Sequence, residues 1–485
     1  MVQPTQDPTS RFRAYLLHRI QHEKRMETMR LRRWIMGVVA AGALLVGGFL
    51  VLAWRFPIPP VDPPAASGFE PALVRRGQEL ALLGDCRTCH TAKGGQELAG
   101  GLPMPTPFGT IYSTNITPDP ATGIGSWSEA AFARAMREGV NRLGQHLYPA
   151  FPYDHFTRIG DEDLRALYAY VMTRDPVQAL VPPNRLVFPV NIRLVLAGWK
   201  LLFLDQGRFV PDPSRDAAWN RGKYLVDGLG HCGGCHTPRN LMGAEEAGRA
   251  LAGGQAEGWD APALGPASPA PVPWDEAALR QYLRQGFHPL HGSARGPMAP
   301  VVRNLADAPD SDVAAIAHYL ASLGSGAGGA GPGPAGPHRP VPAGDAAAPG
   351  RRAASAGLQA ATPAAPDQPG AALYAAACAS CHESGRELPL GAVDLGLSTA
   401  LAGPGPANLV NLVLEGVPAE SGQAAPVMPG FAGMLSDAQL VDLAGYLRGA
   451  FTDKPAWTGI EAVVRTARAA ARPAMPTAHP AGAPR

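Results

Sequence analysis

Hydrophobic side chains recur at helical spacing in three separate parts of the chain. Leu164, Leu167 and Val171 are spaced i, i+3 and i+7, as one face of an α-helix requires. The same stripe returns at Val313, Ile316 and Leu320 and again at Leu440, Leu443 and Leu447, with Tyr170, Tyr319 or Tyr446 just before the last aliphatic residue. Asp161, Ser311 and Ser436 precede the stripes as predicted N-terminal caps. This recurrence predicts one helical unit repeated three times.

A shorter helical pattern containing a glycine precedes each stripe. The three stretches are "RRGQELALLGDC" with Gly77, "NRGKYLVDGLGHC" with Gly222 and "PGAALYAAAC" with Gly370. Together with the stripes they predict an all-α fold of three domains in tandem, at residues 69–175, 214–324 and 371–452.

The N-terminal region predicts a membrane anchor. Residues 1–34 are rich in arginine and lysine, and Ile35 to Trp54 then carry no charge, a run of about the length that crosses a bilayer as a helix. The positive-inside rule places residues 1–34 in the cytoplasm and the chain after Arg55 on the other side. A cleavable signal peptide ending at Val51-Leu52-Ala53 is the alternative. The long basic leader favours a retained anchor, and both interpretations put the three domains outside the cytoplasm.

The connecting segments differ in character. Residues 325–370 are rich in proline, glycine and alanine, and residues 453–485 are similar, so we expect a flexible linker and a disordered tail. Residues 176–213 include "RLVFPVNIRLVLAGWKLLFLDQGRF", which is too apolar for a free linker. We expect this connector to pack between the first two domains and to contribute to an interface with a partner subunit or the membrane surface.

Composition narrows the class further. Glycine (57) and proline (51) make up 108 of the 485 residues and only 17% are charged, which favours small helical modules joined by irregular loops. The formal net charge of +2 gives no reason to expect a nucleic-acid partner, since such partners require a strongly basic surface.

All six cysteines fall in three copies of one pentapeptide, CxxCH. The copies are Cys86-Arg-Thr-Cys89-His90, Cys232-Gly-Gly-Cys235-His236 and Cys378-Ala-Ser-Cys381-His382. This motif is typical of covalent c-type haem: the thiols add to the porphyrin vinyl groups, and the adjacent imidazole binds iron on the proximal side. A structural zinc site would need CxxC pairs that converge on one ion. We therefore expect three covalent haems, with His90, His236 and His382 as proximal ligands.

Methionines after the second and third motifs are candidates for the distal iron position. Met298 in "GPMAPVV" lies 21 residues before Tyr319, and Met428 in "PVMPGF" lies 18 before Tyr446. Both stand beside proline just ahead of the last helix of their domain. Core packing is the commoner role of methionine, but equivalent placement in two repeats favours iron ligation.

The first domain lacks this methionine. Counting back 19 residues from Tyr170 leads to Phe151 in "YPAFPYDHF", and phenylalanine cannot bind iron. His155 is the first candidate for a distal ligand; His146, Met104 and an open five-coordinate iron are the alternatives. We predict that the first haem has either two histidine ligands and a lower potential or an open face.

The chain resembles the membrane-associated three-haem cytochrome c subunits of bacterial periplasmic dehydrogenases, which serve alcohol, gluconate, aldehyde and nicotinate- or isoquinoline-type oxidoreductases. The resemblance covers about residues 69–452 and is carried by "TPFGTIYSTNITPDPATGIGSW", "HLYPAFPYDHF", "AGWKLLF", "GHCGGCHTPRN" and "GPMAPVV". Many members have methionine at the position of Phe151, so a distal methionine is not carried over there. At Met298 and Met428 the resemblance agrees with the repeat.

The resemblance implies an electron-transfer subunit in the bacterial inner membrane, with its haem domains on the periplasmic side. Such a subunit takes electrons from a catalytic subunit of the molybdenum- or quinone-cofactor type and passes them to ubiquinone, another cytochrome or an oxidase. Two alternatives remain open from the sequence. One is a peroxidase-like enzyme that uses an open first haem with His146 or His155 as acid/base; the other is the cytochrome c subunit of a terminal oxidase.

Overall fold

The structure, a computed structural model, describes residues 8–324, 368–383, 392–418 and 426–471. Helices dominate these residues, and their few strands form three small antiparallel sheets. The predicted all-α fold is confirmed in part: the described residues are mostly helical but include these sheets. The predicted linker at 325–370 lies outside the described residues as far as 367.

The first helix, α1 (Pro8–Ala53), runs without a break through the predicted leader and the predicted span. Within the described part of the chain it alone is long and apolar enough to cross a membrane, over Tyr15–Ala53. The main chain at its end is bonded to the first module: His146 Nε2 donates to Ala53 O at 2.8 Å, and Arg134 Nη1 donates to Phe56 O at 2.8 Å. The end of α1 is thus fixed to that module.

The helices and strands follow in chain order. The first module has α2 (Pro71–Leu83), α3 (Cys86–His90), β1 (Pro103–Thr106), β2 (Gly109–Tyr112), α4 (Glu129–Glu138), α5 (Tyr153–Phe156) and α6 (Asp161–Met172). The connector has β3 (Arg185–Leu186) and α7 (Val195–Phe203). The second module has α8 (Ala217–Tyr224), α9 (Gly233–His236), β4 (Gly254–Ala256), β5 (Trp259–Ala261), α10 (Glu276–Gln285), β6 (Phe287–His288), β7 (Gly292–Ser293), α11 (Met298–Asp307) and α12 (Asp310–Gly324). The third module has α13 (Pro369–Ala377), α14 (Ala379–His382), α15 (Thr399–Ala402), α16 (Ala407–Glu415), α17 (Asp437–Phe451) and α18 (Ile460–Ala471).

The strands pair locally. β1 pairs with β2 in the register Met104 to Ile111, and β3 from the connector adds to the other edge of β2. β4 pairs with β5, and β6 pairs with β7. All of these pairs are antiparallel and short, so the fold depends on helix packing.

A glycine allows the first helix of each module to cross α6, α12 or α17 in close contact. A Cβ on Gly77 would lie 2.0 Å from Ala166 O, and one on Gly222 would lie 2.0 Å from Ala315 O. A Cβ on Gly370 would lie 2.3 Å from Asp442 O. These separations are far below contact distance, so only glycine fits. The recurring tyrosine lies four residues after the residue whose carbonyl oxygen meets the glycine. A Cβ on the glycine would also meet the tyrosine Cβ, so the two residues recur together.

Capping agrees with prediction at one stripe and differs at two. Ser436 forms a capping box with Gln439 at the start of α17. α6 is preceded by Gly160, so Asp161 is its first helical residue, and Ser311 lies inside α12. Both of those predicted caps were wrong, because each helix begins slightly earlier than the polar residue suggested.

The first two modules share one hydrophobic core, whereas the third has its own. Leu80 and Leu167 of the first module belong to the same cluster as Leu225 and Val313 of the second. The third module encloses a separate cluster around Leu440 and Leu443. It contacts the second through a reciprocal pair, in which Asn408 donates to Asp260 O at 2.8 Å and accepts from Asp260 N–H at 2.9 Å.

A ring of four charged side chains joins the first two modules with near two-fold symmetry. Arg221 donates to Asp312 at 2.7 Å within the second module and lies 3.5 Å from Asp163 of the first. Arg76 in turn lies 3.4 Å from Asp163 within the first module and 3.5 Å from Asp312 of the second. Each arginine directly precedes the crossing glycine of its module, so the repeat itself builds the interface.

The third module is longer than predicted. The sequence predicts a disordered tail from residue 453, but α18 packs against the module with Val464 buried in its core. Arg448, which is buried, donates to Gly403 O and Pro455 O at 3.0 Å each and lies over the Trp457 ring. The sequence signal for this helix was the helical spacing of apolar residues within 460–471. Residues beyond 471 lie outside the described part.

The connector packs between modules through α7. Trp199 contacts Tyr153 of the first module edge to face at 6.2 Å, and its Nε1 donates to Met242 O of the second at 3.0 Å. On the same helix, Lys200 Nζ donates to Glu138 O and Gly139 O at 2.5 Å each. A positive charge at the C-terminus of α4 is favourable because the helix dipole is negative there, although burial lowers the pKa of Lys200 to about 7.

Candidate functional site

Each CxxCH histidine is oriented by a main-chain carbonyl. Nδ1 of His90 donates to Thr114 O at 2.7 Å, and Nδ1 of His236 donates to Pro262 O at 2.7 Å. Nδ1 of His382 donates to Val393 O at 3.2 Å. A proton on Nδ1 leaves the lone pair on Nε2, so all three rings present the nitrogen that a haem iron takes.

Burial keeps these imidazoles in the ligand form. It lowers the pKa of His90, His236 and His382, although the hydrogen bond to each carbonyl acts in the opposite direction. A neutral ring is required for a bond to iron.

Sequence reasoning missed the carbonyl acceptors because they are main-chain groups without a residue signature. In the first two modules a β-hairpin places them: Thr114 comes two residues after β2, and Pro262 comes directly after β5. The hairpins therefore position the two carbonyls that orient His90 and His236.

Three glycines mark the equivalent point ahead of the distal positions. Gly139, Gly286 and Gly416 end α4, α10 and α16 with φ of 58°, 69° and 72°, in the region that other residues rarely adopt. Twelve positions after each glycine come Phe151, Met298 and Met428.

The two methionines are partly buried beside their module cores. Met298 opens α11 and packs against the shared core of the first two modules. Met428 packs against the core of the third, and its main chain forms an antiparallel bridge with Val417. Both methionines remain partly exposed.

At the first module the equivalent side chain is an aromatic ring. Phe151 packs edge to face against Phe156 with ring centroids 5.4 Å apart. Its neighbours are carbon atoms of the shared core, and it offers no donor atom at this position.

His155 does not face the first CxxCH. Its Nδ1 bonds Asp227 O at 2.9 Å and its Nε2 bonds Glu245 at 2.8 Å, so both nitrogens are occupied by the second module. Burial acts to lower the pKa of His155, but the hydrogen bond and charge of Glu245 outweigh it and raise the pKa. These contacts with the second module do not support His155 as the distal ligand of the first haem, and that assignment stays a prediction.

The remaining candidates also lie elsewhere. His146 Nε2 bonds Ala53 O, and its Nδ1 accepts from Lys200 Nζ at 3.1 Å, so this ring is used at the end of α1. Met104 lies on β1, where it pairs with Ile111 of β2. Met104 and an open face are thus the two options for the first iron that these hydrogen bonds do not argue against.

Comparisons with known proteins agree with this arrangement. Residues 74–175 and 220–324 match the family described as cytochrome c, and residues 365–447 match the family described as cytochrome C oxidase, cbb3-type, subunit III. The matches cover the three CxxCH segments.

Several relatives are dehydrogenase subunits. The fructose dehydrogenase cytochrome subunit of Gluconobacter japonicus is 38% identical, over 90% of this chain and 90% of its own length. The gluconate 2-dehydrogenase cytochrome c subunit of Pantoea cypripedii is 40% identical, over 78% of this chain and 86% of its own. A nicotinate dehydrogenase component from Pseudomonas putida is 47% identical over 90% of this chain, which spans only 35% of that protein.

The fructose and gluconate dehydrogenase cytochrome subunits are matched along most of their own length and along most of this chain. The chain therefore belongs to the family of cytochrome c subunits of dehydrogenases.

Proposed function

We propose that this chain is an electron-transfer subunit with three covalent c-type haems. The observation that carries the proposal is the threefold recurrence of a CxxCH histidine whose Nδ1 is bonded to a carbonyl, in modules that pack on one another. The role of the relatives as cytochrome subunits of dehydrogenases supports it.

The residues present fit the haem. Two thiols and one imidazole per module supply the attachment and the proximal ligand, and their surroundings are largely apolar. The cysteine pairs would be Cys86 and Cys89, Cys232 and Cys235, and Cys378 and Cys381. When bound, haem supplies one-electron oxidation and reduction at iron. Met298 and Met428 would bind on the distal side of the second and third groups.

We propose an open distal side for the first haem. Phe151 occupies the position of the methionine, and both nitrogens of His155 and of His146 are bonded elsewhere. The peroxidase-like alternative loses its acid/base residues for the same reason, because neither imidazole has a nitrogen that could exchange a proton with a substrate.

The partners that fit this role are a dehydrogenase catalytic subunit, of the molybdenum- or quinone-cofactor type, and an acceptor. The acceptor would be ubiquinone, another cytochrome or an oxidase. The third module's match to an oxidase subunit concerns one module only, whereas dehydrogenase subunits match across most of the chain. We place the chain in the bacterial inner membrane with α1 as a single span and the modules on the periplasmic side.

Two measurements test the proposal. Haem content of the purified chain, by pyridine haemochrome and intact mass, should be three covalent groups, and fewer would contradict the assignment. Copurification from native membranes should yield a dehydrogenase catalytic subunit whose substrate reduces the chain. Recovery of a haem-copper oxidase instead would favour the alternative.

A further inference from the structure

The helix α7 of the connector has an exposed apolar face. Leu201 and Leu202 are 68% and 69% exposed, and Val195 is 41% exposed. The opposite side of the helix packs against the first module, where Leu196 is buried and Lys200 donates a hydrogen bond to the end of α4. α7 is thus amphipathic, with an apolar surface that no described residue covers.

This face is directed towards α1. A Cβ on Gly198 would lie 3.7 Å from Phe49 Cε2, so Gly198 marks the side of α7 that meets the membrane helix. Leu201 and Leu202 follow Gly198 by three and four residues, and Val195 precedes it by three. These spacings place all three on the side of Gly198.

The contact with α1 lies inside the predicted span. Phe49 comes four residues before the end of α1 at Ala53, which is about 6 Å along a helix. Residues 35–53 extend for about 28 Å, close to the thickness of a hydrocarbon core. α7 therefore meets α1 at a depth where interfacial helices bury their apolar face, about 5–10 Å into the headgroup and acyl boundary.

Aromatic side chains mark the same level. Trp54 and Phe56, directly after α1, are 62% and 78% exposed, and tryptophan is enriched where a protein leaves the bilayer. The main chain here is rigid, because Ile58 N–H donates to Arg142 O at 2.8 Å and Val61 N–H donates to Ser126 O at 3.1 Å. The first module cannot swing away from the end of α1 without breaking these bonds.

We propose that α7 is an interfacial helix, whose face of Val195, Leu201 and Leu202 lies in the headgroup and acyl boundary of the bilayer that α1 spans. This inference rests on the proposed retention of α1. It holds the first module against the membrane surface and makes lipid the occupant of the exposed face of α7.

A soluble partner fits this face less well than lipid does. A protein covering Leu202 would have to pack beside Phe49, below the headgroup level of the span. Lipid meets the same side chains with no further interface, so the two leucines can leave water without a second protein surface being desolvated.

Site-specific photo-cross-linking on the full chain tests the inference. p-Benzoylphenylalanine replaces Leu202 in one sample, Val195 in a second and Leu241 in a third. Leu241 is the matched control, a leucine that is 99% exposed but lies in the second module. The purified chain is reconstituted in vesicles of phosphatidylethanolamine and phosphatidylglycerol, irradiated, and analysed by mass spectrometry; native membranes are irradiated in parallel.

Phospholipid adducts at positions 202 and 195, and none at position 241, are the expected result. Adducts to another protein at 202 in native membranes, or equal lipid labelling at 202 and 241, would overturn the inference. N-terminal sequencing of the same samples would also overturn it if the chain began after Ala53. Haem content and reduction by the dehydrogenase are measured separately. The electron-transfer proposal can therefore be confirmed while the interfacial position of α7 is refuted, and the other way round.

Discussion

The crossing glycine of the third module gives a sharp test of the fold. Replacing Gly370 with alanine puts a methyl group 2.3 Å from Asp442 O and 2.5 Å from Tyr446 Cβ. Ordinary contact begins at 3.4 Å, so α13 and α17 must separate by about 1 Å at their closest point, and such overpacking costs about 1–3 kcal/mol. The better helix propensity of alanine offsets up to about 1 kcal/mol of this.

Gly445→Ala is the matched control. Gly445 lies in α17 of the same module, and a Cβ there would meet nothing within 4 Å. This substitution should therefore stabilise the helix by up to about 1 kcal/mol. The two variants, identical in composition, should differ by about 2 kcal/mol, which is roughly 30-fold in an equilibrium constant.

Hydrogen exchange with mass spectrometry measures this difference locally. Amides of α13 and α17 should exchange roughly 30-fold faster in Gly370→Ala than in Gly445→Ala, while the first two modules remain unchanged. Equal exchange in the two variants would refute the crossing. Gly77→Ala and Gly222→Ala should be at least as severe, because a Cβ at either position would lie 2.0 Å from a carbonyl oxygen.

Three further predictions concern the site and the interface. Phe151→Met should place a thioether at the first distal position, add a methionine-to-iron charge-transfer band and abolish carbon monoxide binding to the reduced first haem. Asp312→Ala should cost about 3 kcal/mol in urea unfolding, because it removes the buried partner of two arginines. Protection of the amides at the contact between His155 and Glu245, measured by hydrogen exchange relative to the intrinsic rate at each pH, should be greatest at intermediate pH. His155 lowers the pKa of Glu245 against the effect of burial, so the contact is lost as pH falls through that lowered value. Glu245 raises the pKa of His155, so it is also lost as pH rises through that raised value.

Each of these predictions has a control or a refuting outcome. Phe151→Leu keeps the site apolar and should retain carbon monoxide binding; wild-type protein that binds none would contradict the open face. Asp310→Ala removes an exposed partner of Arg280 and should cost less than about 1 kcal/mol, so equal losses at 310 and 312 would rule out the four-residue ring. Glu245→Gln should flatten the pH profile; an unchanged profile would show that the pair does not control the contact.

The haem-attachment motifs and the helical stripes could be predicted from the sequence because each depends on residues that are close together in the chain. CxxCH predicts the cofactor and the proximal ligand within five positions. The helices that carry the stripes ending at Val171, Leu320 and Leu447 could be predicted from helical periodicity alone. The glycine that precedes each motif was visible too, although its partner in the last helix was not.

What the sequence determined by itself was the repeat, the attachment motifs and an apolar segment long enough to span a bilayer. The tertiary structure decided which groups the side chains meet. It placed His155 against Glu245, bonded His146 to the end of α1, joined two modules in one core and added α18 to the third. These contacts depend on the relative placement of residues far apart in the chain, and on main-chain carbonyls that any residue can supply. The pattern of side chains along the sequence predicts neither the long-range placement nor the carbonyl that a side chain will meet.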